Sequence, residues 1–111
     1  MTIDAVREFC INLKAVTESF PFDDDALVFK VKGKMFALLS LQDRWLNLKC
    51  DPEKAVRLRE EYEFVAPGYH MSKRHWNTID LKGNIPEKLI KEWITDSYAL
   101  VVAGLPQKSR P

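Results

Sequence analysis

The chain has 111 residues, of which 46% are hydrophobic and 30% are charged, a length and composition that favour one globular domain and disfavour disorder. Seventeen basic and sixteen acidic residues leave a formal net charge of +1, which excludes the overall basicity typical of many nucleic-acid and membrane-surface proteins. The sequence shows no signal region, no apolar stretch of the roughly 20 residues that a membrane span needs, and no metal-type cysteine spacing, so we expect a cytoplasmic protein with free thiols.

The first predicted element is an amphipathic helix over Ile3–Leu13. Its apolar residues recur at steps of three and four, and Thr2 stands where an N-cap residue is expected. Residues 17–25 are predicted to form a loop, because Pro21 and three consecutive aspartates disfavour both helix and strand.

A meander of three antiparallel strands is predicted next. Side chains alternate in character over 27–31 and 35–39, and a turn at Gly33 separates these two segments. A second short polar turn leads to a third alternating segment, 45–50. Tight turns of this kind join antiparallel neighbours.

The second half of the chain contains two further helices and one strand. A helix is predicted to begin at the Asp-Pro pair 51–52 and to end before the Pro-Gly turn at 67–68. A fourth strand is predicted over 75–81, and the last helix, with the most regular apolar stripe in the chain, over 86–105.

The element order is therefore α-βββ-α-β-α. An antiparallel sheet joined by tight turns, with helices packed on one face, is a two-layer α+β fold. We expect a single domain over residues 1–106 and a polar C-terminal tail over residues 107–111.

The charges are distributed unevenly along the chain. Residues 1–25 carry two bases and six acids, whereas residues 26–50 carry five bases and one acid. The bases thus follow the predicted strands and turns, and this predicts a positive region on the sheet that can bind phosphates. The structural alternative is that Lys30, Lys32, Lys34 and Lys49 only solvate the open face and edges of the sheet.

The densest group of functional side chains lies around the Pro-Gly turn, in segment 67–77, and comprises Tyr69, His70, Lys73, Arg74, His75, Trp76 and Asn77. Basic side chains bind phosphates, aromatic rings stack on bases, and amides and imidazoles bond to base edges, so this segment is a candidate nucleic-acid contact loop. The structural alternative is that Trp76 anchors its strand in the core, Tyr69 packs beside it and His70 bonds to loop carbonyls.

Metal and catalytic chemistry are not indicated. The two histidines, with Cys50 and Asp51 as distant partners, do not make a clear set of three or four ligands. Cys10 and Cys50 share faces with apolar residues and are predicted to be buried and inert. No glycine-rich phosphate loop is present, and no metal, cofactor or catalytic residue is predicted, so we expect a non-enzymatic protein.

A family resemblance is carried by a set of motifs that occur in this order: Phe20-Pro21-Phe22, Val28–Val31, Gly33–Ala37, Lys49–Glu53, Pro67-Gly68-Tyr69-His70-Met71, Lys73, His75-Trp76-Asn77-Thr78 and Ser97-Tyr98. In these residues the chain resembles the MmcQ/YjbR family of small bacterial proteins, from about Ile3 to Arg110. Two positions depart from the family's frequent residues, since Asp23 stands where glycine is frequent and Ser72 where asparagine is frequent.

The resemblance implies a CyaY-like fold, a "double wing" similar to the DNA-binding domain of a phage transcription factor, and a DNA-binding role. The leading prediction is weak DNA binding, with contacts from Lys30, Lys34, Lys49, Lys73, Arg74, His75 and Asn77. The alternative is a module for a small molecule or a protein, with a pocket under the last helix formed by Tyr69, His70, His75 and Trp76.

Overall fold

The computed structural model describes the whole chain, Met1–Pro111, and contains three α-helices and six β-strands. The helices are α1 (Ile3–Ile11), α2 (Pro52–Glu61) and α3 (Glu87–Ala103). The strands are β1 (Val16–Ser19), β2 (Ala26–Val31), β3 (Lys34–Ser40), β4 (Trp45–Lys49), β5 (Val65–Pro67) and β6 (Trp76–Asp80). They form one sheet in the order β1-β2-β3-β4-β6-β5, and every neighbouring pair is antiparallel.

The helices pack on one face of this sheet. Strand residues such as Phe29, Leu46 and Ile79 are buried in the same apolar cluster as Val6 of α1 and Ile94 of α3. Because side chains alternate across a strand, the intervening residues face the other side of the sheet. The predicted two-layer α+β fold is thereby confirmed.

The predicted helix starts are seen as local hydrogen bonds. The Thr2 hydroxyl accepts from the amide of Ala5 at 3.0 Å. The Asp51 carboxylate accepts from the amide of Lys54 at 3.2 Å, and Pro52 is the first residue of α2. Each cap satisfies a backbone donor that has no partner within its helix.

Two short edge strands were not predicted. The segment containing β1 was predicted to be a loop from Pro21 and the three aspartates, but Val16–Ser19 pairs with β2. Its alternation is hard to recognise because Glu18 faces the helices, where an apolar residue is usual. Arg7 of α1 donates from Nε to the Glu18 carboxylate at 2.8 Å and satisfies its charge. The other unpredicted strand, β5, has only three residues, too few for a recognisable alternation, and is held by β6 alone.

One irregularity in the sheet is bridged by a side chain from α3. The register between β2 and β3 shifts between Phe29 and Lys30, and the pairing of β3 with β4 stops before Phe36 and Lys49. The buried Ser97 hydroxyl donates to the Phe36 carbonyl at 2.6 Å and accepts from the Lys49 amide at 2.8 Å. It therefore replaces a backbone rung that the bulge removes.

The C-terminal residues fold back on the end of α3. Residues Gln107–Ser109 form one turn of 3-10 helix. Arg110 donates to the carbonyl oxygens of Leu105 at 3.2 Å and Ala103 at 2.9 Å. None of the helices combines the length and the apolar character needed to cross a bilayer.

Candidate functional site

The face of the sheet opposite the helices carries most of the predicted site residues. We call it the open face; it is formed by the strand side chains that alternate with the core residues. Its middle row runs across five strands, from Val28 through Leu38, Asn47 and Thr78 to Ala66. The rows on either side of this one differ in charge.

One end of the sheet is basic. Lys30 pairs with Met35 across β2 and β3, and Lys49 pairs with Trp76 across β4 and β6. Antiparallel pairing brings the turn between β2 and β3, the end of β4 and the start of β6 to the same end of the sheet. We call this end, with the segment that leads into β6, the basic end; its cations are Lys30, Lys32, Lys34, Lys49, Lys73 and Arg74.

The cations of the basic end have no carboxylate partner. The four ion pairs of the protein are Arg7–Glu18, Lys54–Asp96, Lys82–Asp80 and Lys91–Glu87. Lys73 donates from Nζ to the Gly68 carbonyl at 3.1 Å, a bond that leaves its charge uncompensated. The basic end is therefore a region of unneutralised positive charge on a protein that is nearly neutral overall.

The loop 68–75 is fixed to the open face by a closed set of hydrogen bonds. The Tyr69 amide donates to the Thr78 hydroxyl at 2.8 Å, and that hydroxyl donates to the Asn47 side-chain oxygen. The Asn47 amide group in turn donates to the Tyr69 carbonyl at 2.9 Å. Asn47 is buried, and this ring of contacts holds Tyr69 over the sheet.

Gly68 allows the loop to approach β6 closely. A Cβ at this position would lie 2.7 Å from the Cβ and 2.9 Å from the carbonyl oxygen of Trp76. The next-but-one residue, His70, has a φ of 58°, the left-handed conformation that few non-glycine residues adopt. The loop therefore follows one defined path over the sheet.

Between this loop and loop 20–25 the open face contains a cleft of about 470 Å³. Trp45 packs edge-to-face on Tyr69, with ring centroids 5.6 Å apart, and the Tyr69 and His70 rings lie 3.9 Å apart. We call it the cleft; its wall is formed by Phe22, Asp23, Asp25, Ala26, Met35, Leu38, Asp43, Trp45, Asn47, Tyr69, His70 and Met71.

The charge of the cleft is opposite to that of the basic end. Three aspartates line it, and no lysine or arginine does. Hydrogen bonds from the amides of Ala26 and Asp25 hold the pKa of Asp23 below its ordinary value. The Asp25 carboxylate accepts from the Ser40 hydroxyl and the Gln42 amide, both at 2.6 Å. The open face thus has a positive end and a negative end.

The structure separates the predicted contact residues into two groups. Lys30, Lys34, Lys49, Lys73 and Arg74 all belong to the basic end, and His75 is exposed at the start of β6. Asn77 is placed differently, because alternation along β6 turns its side chain toward the helices. It is 2% exposed and donates to the Ala55 carbonyl of α2 at 3.2 Å, so this amide is absent from the protein surface.

The alternative pocket is also placed differently from expectation. Tyr69 and His70 line the cleft, whereas His75 and Trp76 do not. The cleft lies on the face opposite α3, so the predicted position under the last helix was wrong. Trp45 and Asn47 were not predicted to be cleft residues. Alternation along β4 puts them on the same face as Lys49, but only the strand order shows that loop 68–75 covers them.

The two cysteines differ in burial. Cys10 is buried, as predicted, whereas Cys50 is only half-buried, because it lies just beyond the end of β4. Burial raises the pKa of both thiols, that of Cys10 to about 12. No group of three or more His, Cys, Asp and Glu side chains is arranged to hold a metal ion.

The chain is similar to known proteins over nearly its whole length. A family model described as YjbR matches residues 11–100. The chain is 36% identical to the uncharacterized protein YbdF of Escherichia coli O157:H7, over 96% of this chain and 89% of that protein. It is 32% identical to the uncharacterized protein YjbR of Escherichia coli strain K12, over 99% and 95%.

A solved structure with the same fold comes from Deinococcus radiodurans. The crystal structure of its protein DR2400, described as a DUF419 domain, superposes with a TM-score of 0.92 at 41% sequence identity. The match covers 98% of this chain and 85% of that chain. The likeness therefore extends over nearly the whole of this chain.

Proposed function

The chain belongs to the YjbR family, and within that family we propose that it is a DNA-binding protein that contacts phosphates through the basic end of its sheet. Family membership confirms the resemblance derived from the Pro-Gly-Tyr-His-Met and His-Trp-Asn motifs. The proposal for DNA binding is supported by the charge geometry of the open face.

The observation that carries the proposal is the set of cations without carboxylate partners. Lys30 and Lys49 lie on β2 and β4 and point to the same side of the sheet. Strands lie about 4.8 Å apart, so these two positions span roughly 10 Å across the sheet. The exposed Arg74 lies in the segment that leads into β6. The exposed Lys34 lies at the same end of the sheet, but it pairs with the core residue Val31 and so extends from the side of the helices. Together these cations offer several phosphate contacts at one end of the sheet.

The acidic cleft favours one orientation of the duplex. A DNA backbone over the aspartates would meet like charge, whereas one across the turn between β2 and β3 and the start of β6 would meet the cations of the basic end. We therefore expect the duplex to lie across the basic end and not along the whole open face. Binding through about four phosphates implies a slope near −4 for log K against log salt, or a loss of about 100-fold between about 50 and 200 mM KCl.

The test is a titration of a fluorescently labelled duplex, read by anisotropy at several salt concentrations. The key variant combines Lys30→Glu with Lys49→Glu. The matched control combines Lys88→Glu with Lys108→Glu, which changes the net charge equally at exposed positions on α3 and in the C-terminal turn. We expect the first pair to abolish measurable binding and the second to weaken it only slightly.

Two results contradict the proposal. A salt slope near zero for the wild-type protein would show that phosphates are not contacted. An equal loss in both double variants would show that overall charge, and not the basic end, governs the interaction. Circular dichroism of each variant establishes that its fold is retained.

A further inference from the structure

The cleft is left without a role by the proposed DNA contact, and its chemistry differs from that of the basic end. Its walls combine aromatic rings with carboxylates and contain no lysine or arginine. A volume of about 470 Å³ falls within the range of sites for small molecules.

The aromatic part of the wall is exposed to an unusual degree. Phe22 is 71% exposed and Tyr69 is 53% exposed, although both are large apolar side chains. Trp45 meets Tyr69 edge-to-face at an interplanar angle of 83°. All three rings line the cleft, and aromatic rings attract cations through the ring quadrupole, as in sites for quaternary ammonium groups.

The carboxylates add a second, independent preference for positive charge. The backbone amides of Asp25 and Ala26 donate to the Asp23 carboxylate and stabilise its charged form. Asp43 is exposed. The Lys82 ammonium donates to the Asp43 backbone carbonyl and pairs with the Asp80 carboxylate, so the Asp43 carboxylate is left to pair with a ligand. A phosphate or carboxylate ligand would meet repulsion here, since no cation of the wall compensates the three negative charges.

The wall is also held in place before any ligand arrives. The ring of hydrogen bonds through Asn47 and Thr78 fixes the Tyr69 backbone. Bonds from Ser40 and Gln42 fix the Asp25 carboxylate on the opposite side. A site that needs little ordering on binding loses less of its interaction energy to entropy.

From these observations we propose that the cleft binds a small organic cation, an ammonium group with apolar substituents. The paired rings of Trp45 and Tyr69 contact the cation on one side, and the Asp43 carboxylate pairs with it on the other. The apolar substituents contact Met35 and Leu38 on the floor of the cleft. The proposal does not depend on DNA binding, because it uses none of the cations of the basic end.

The experiment is a titration followed by NMR, with three probes of similar size. Choline and n-butylammonium are the cations, and 3,3-dimethylbutan-1-ol is the neutral isostere of choline. We expect both cations to shift the Trp45 indole N–H and the amides of Tyr69 and His70, and the alcohol to bind about three- to tenfold more weakly than choline.

Two isosteric variants test the carboxylate. Asp43→Asn removes a charge that lines the cleft, and we expect it to weaken choline binding about two- to fivefold. Asp24→Asn removes an equal charge from the exposed aspartate between Asp23 and Asp25, which does not line the cleft, and should leave the affinity unchanged. The Lys30→Glu and Lys49→Glu double variant should retain choline binding, which separates this proposal from DNA binding.

Three outcomes would overturn the proposal. One is the absence of shifts at the cleft residues with either cation at tens of millimolar. Another is equal affinity for choline and the neutral alcohol, which would show an apolar site without charge preference. The third is equal weakening by Asp43→Asn and Asp24→Asn, which would show a general field effect.

Discussion

Replacing Ser97 by alanine tests whether one hydroxyl on α3 holds the middle of the sheet together. The Lys49 amide and the Phe36 carbonyl both bond to this hydroxyl, and Ser97 is fully buried. Without the hydroxyl, these two buried backbone groups lose their partner, and each unsatisfied group costs about 1–3 kcal/mol. Ser97→Ala should therefore destabilise the protein by about 2–5 kcal/mol.

The assay is urea unfolding followed by circular dichroism, with thermal melts as a second measurement. At this chain length the expected loss corresponds to a fall in Tm of about 10–20 °C. Thr95→Ala is the matched control, because Thr95 is exposed on the same helix and bonds only to the Lys91 carbonyl at 2.8 Å. It should change the free energy of unfolding by less than about 0.5 kcal/mol.

The helix propensity of alanine acts against the expected result and so strengthens the test. Alanine is a better helix former than serine, so propensity alone would make both variants slightly more stable. A Ser97→Ala protein within about 1 kcal/mol of the wild type would refute the reasoning, since the bulge would then be satisfied without this hydroxyl.

Three further predictions concern the loop, an ion pair and a thiol. Gly68→Ala should destabilise the protein by about 1–3 kcal/mol in urea unfolding because its Cβ would overlap β6, whereas Gly83→Ala, with open space around the added Cβ, should have almost no effect. The bond from Arg7 lowers the pKa of Glu18 below 4.5; this contribution to stability is present above that value and is lost as the pH falls through the lowered pKa. The Arg7→Gln variant should thus lose less stability on acidification than the wild type, and equal slopes of the urea midpoint against pH would contradict this. The Cys10 thiol, with a pKa of about 12, should resist iodoacetamide in the native protein and react in urea, as read by mass spectrometry.

Much of the architecture could be predicted because its signals are local. Thr2 and the Asp-Pro pair at 51–52 mark helix starts through hydrogen bonds to residues three positions away. Alternation of side chains identified β2, β3, β4 and β6 and showed which residues of each strand share a face. Each family motif is a short contiguous run of residues, so the family can be recognised without knowledge of tertiary contacts.

The two missed strands show where local signals fail. The inward carboxylate of Glu18 has a meaning only beside Arg7, which lies on another element. The short strand β5 exists because β6 offers a partner edge, and a segment of three residues carries no periodicity of its own.

The functional residues show the same division. The sequence by itself determined that cations accompany the strands, that functional side chains crowd segment 67–77, and that the fold is two-layer α+β. Only the tertiary structure decided that Lys30 and Lys49 share one end of the sheet, that Asn77 faces α2, and that Tyr69 covers Trp45 to form a cleft. A two-residue period fixes which side chains lie together on a strand. Which strands are neighbours, and which face the helices cover, depends on contacts between residues far apart in the chain.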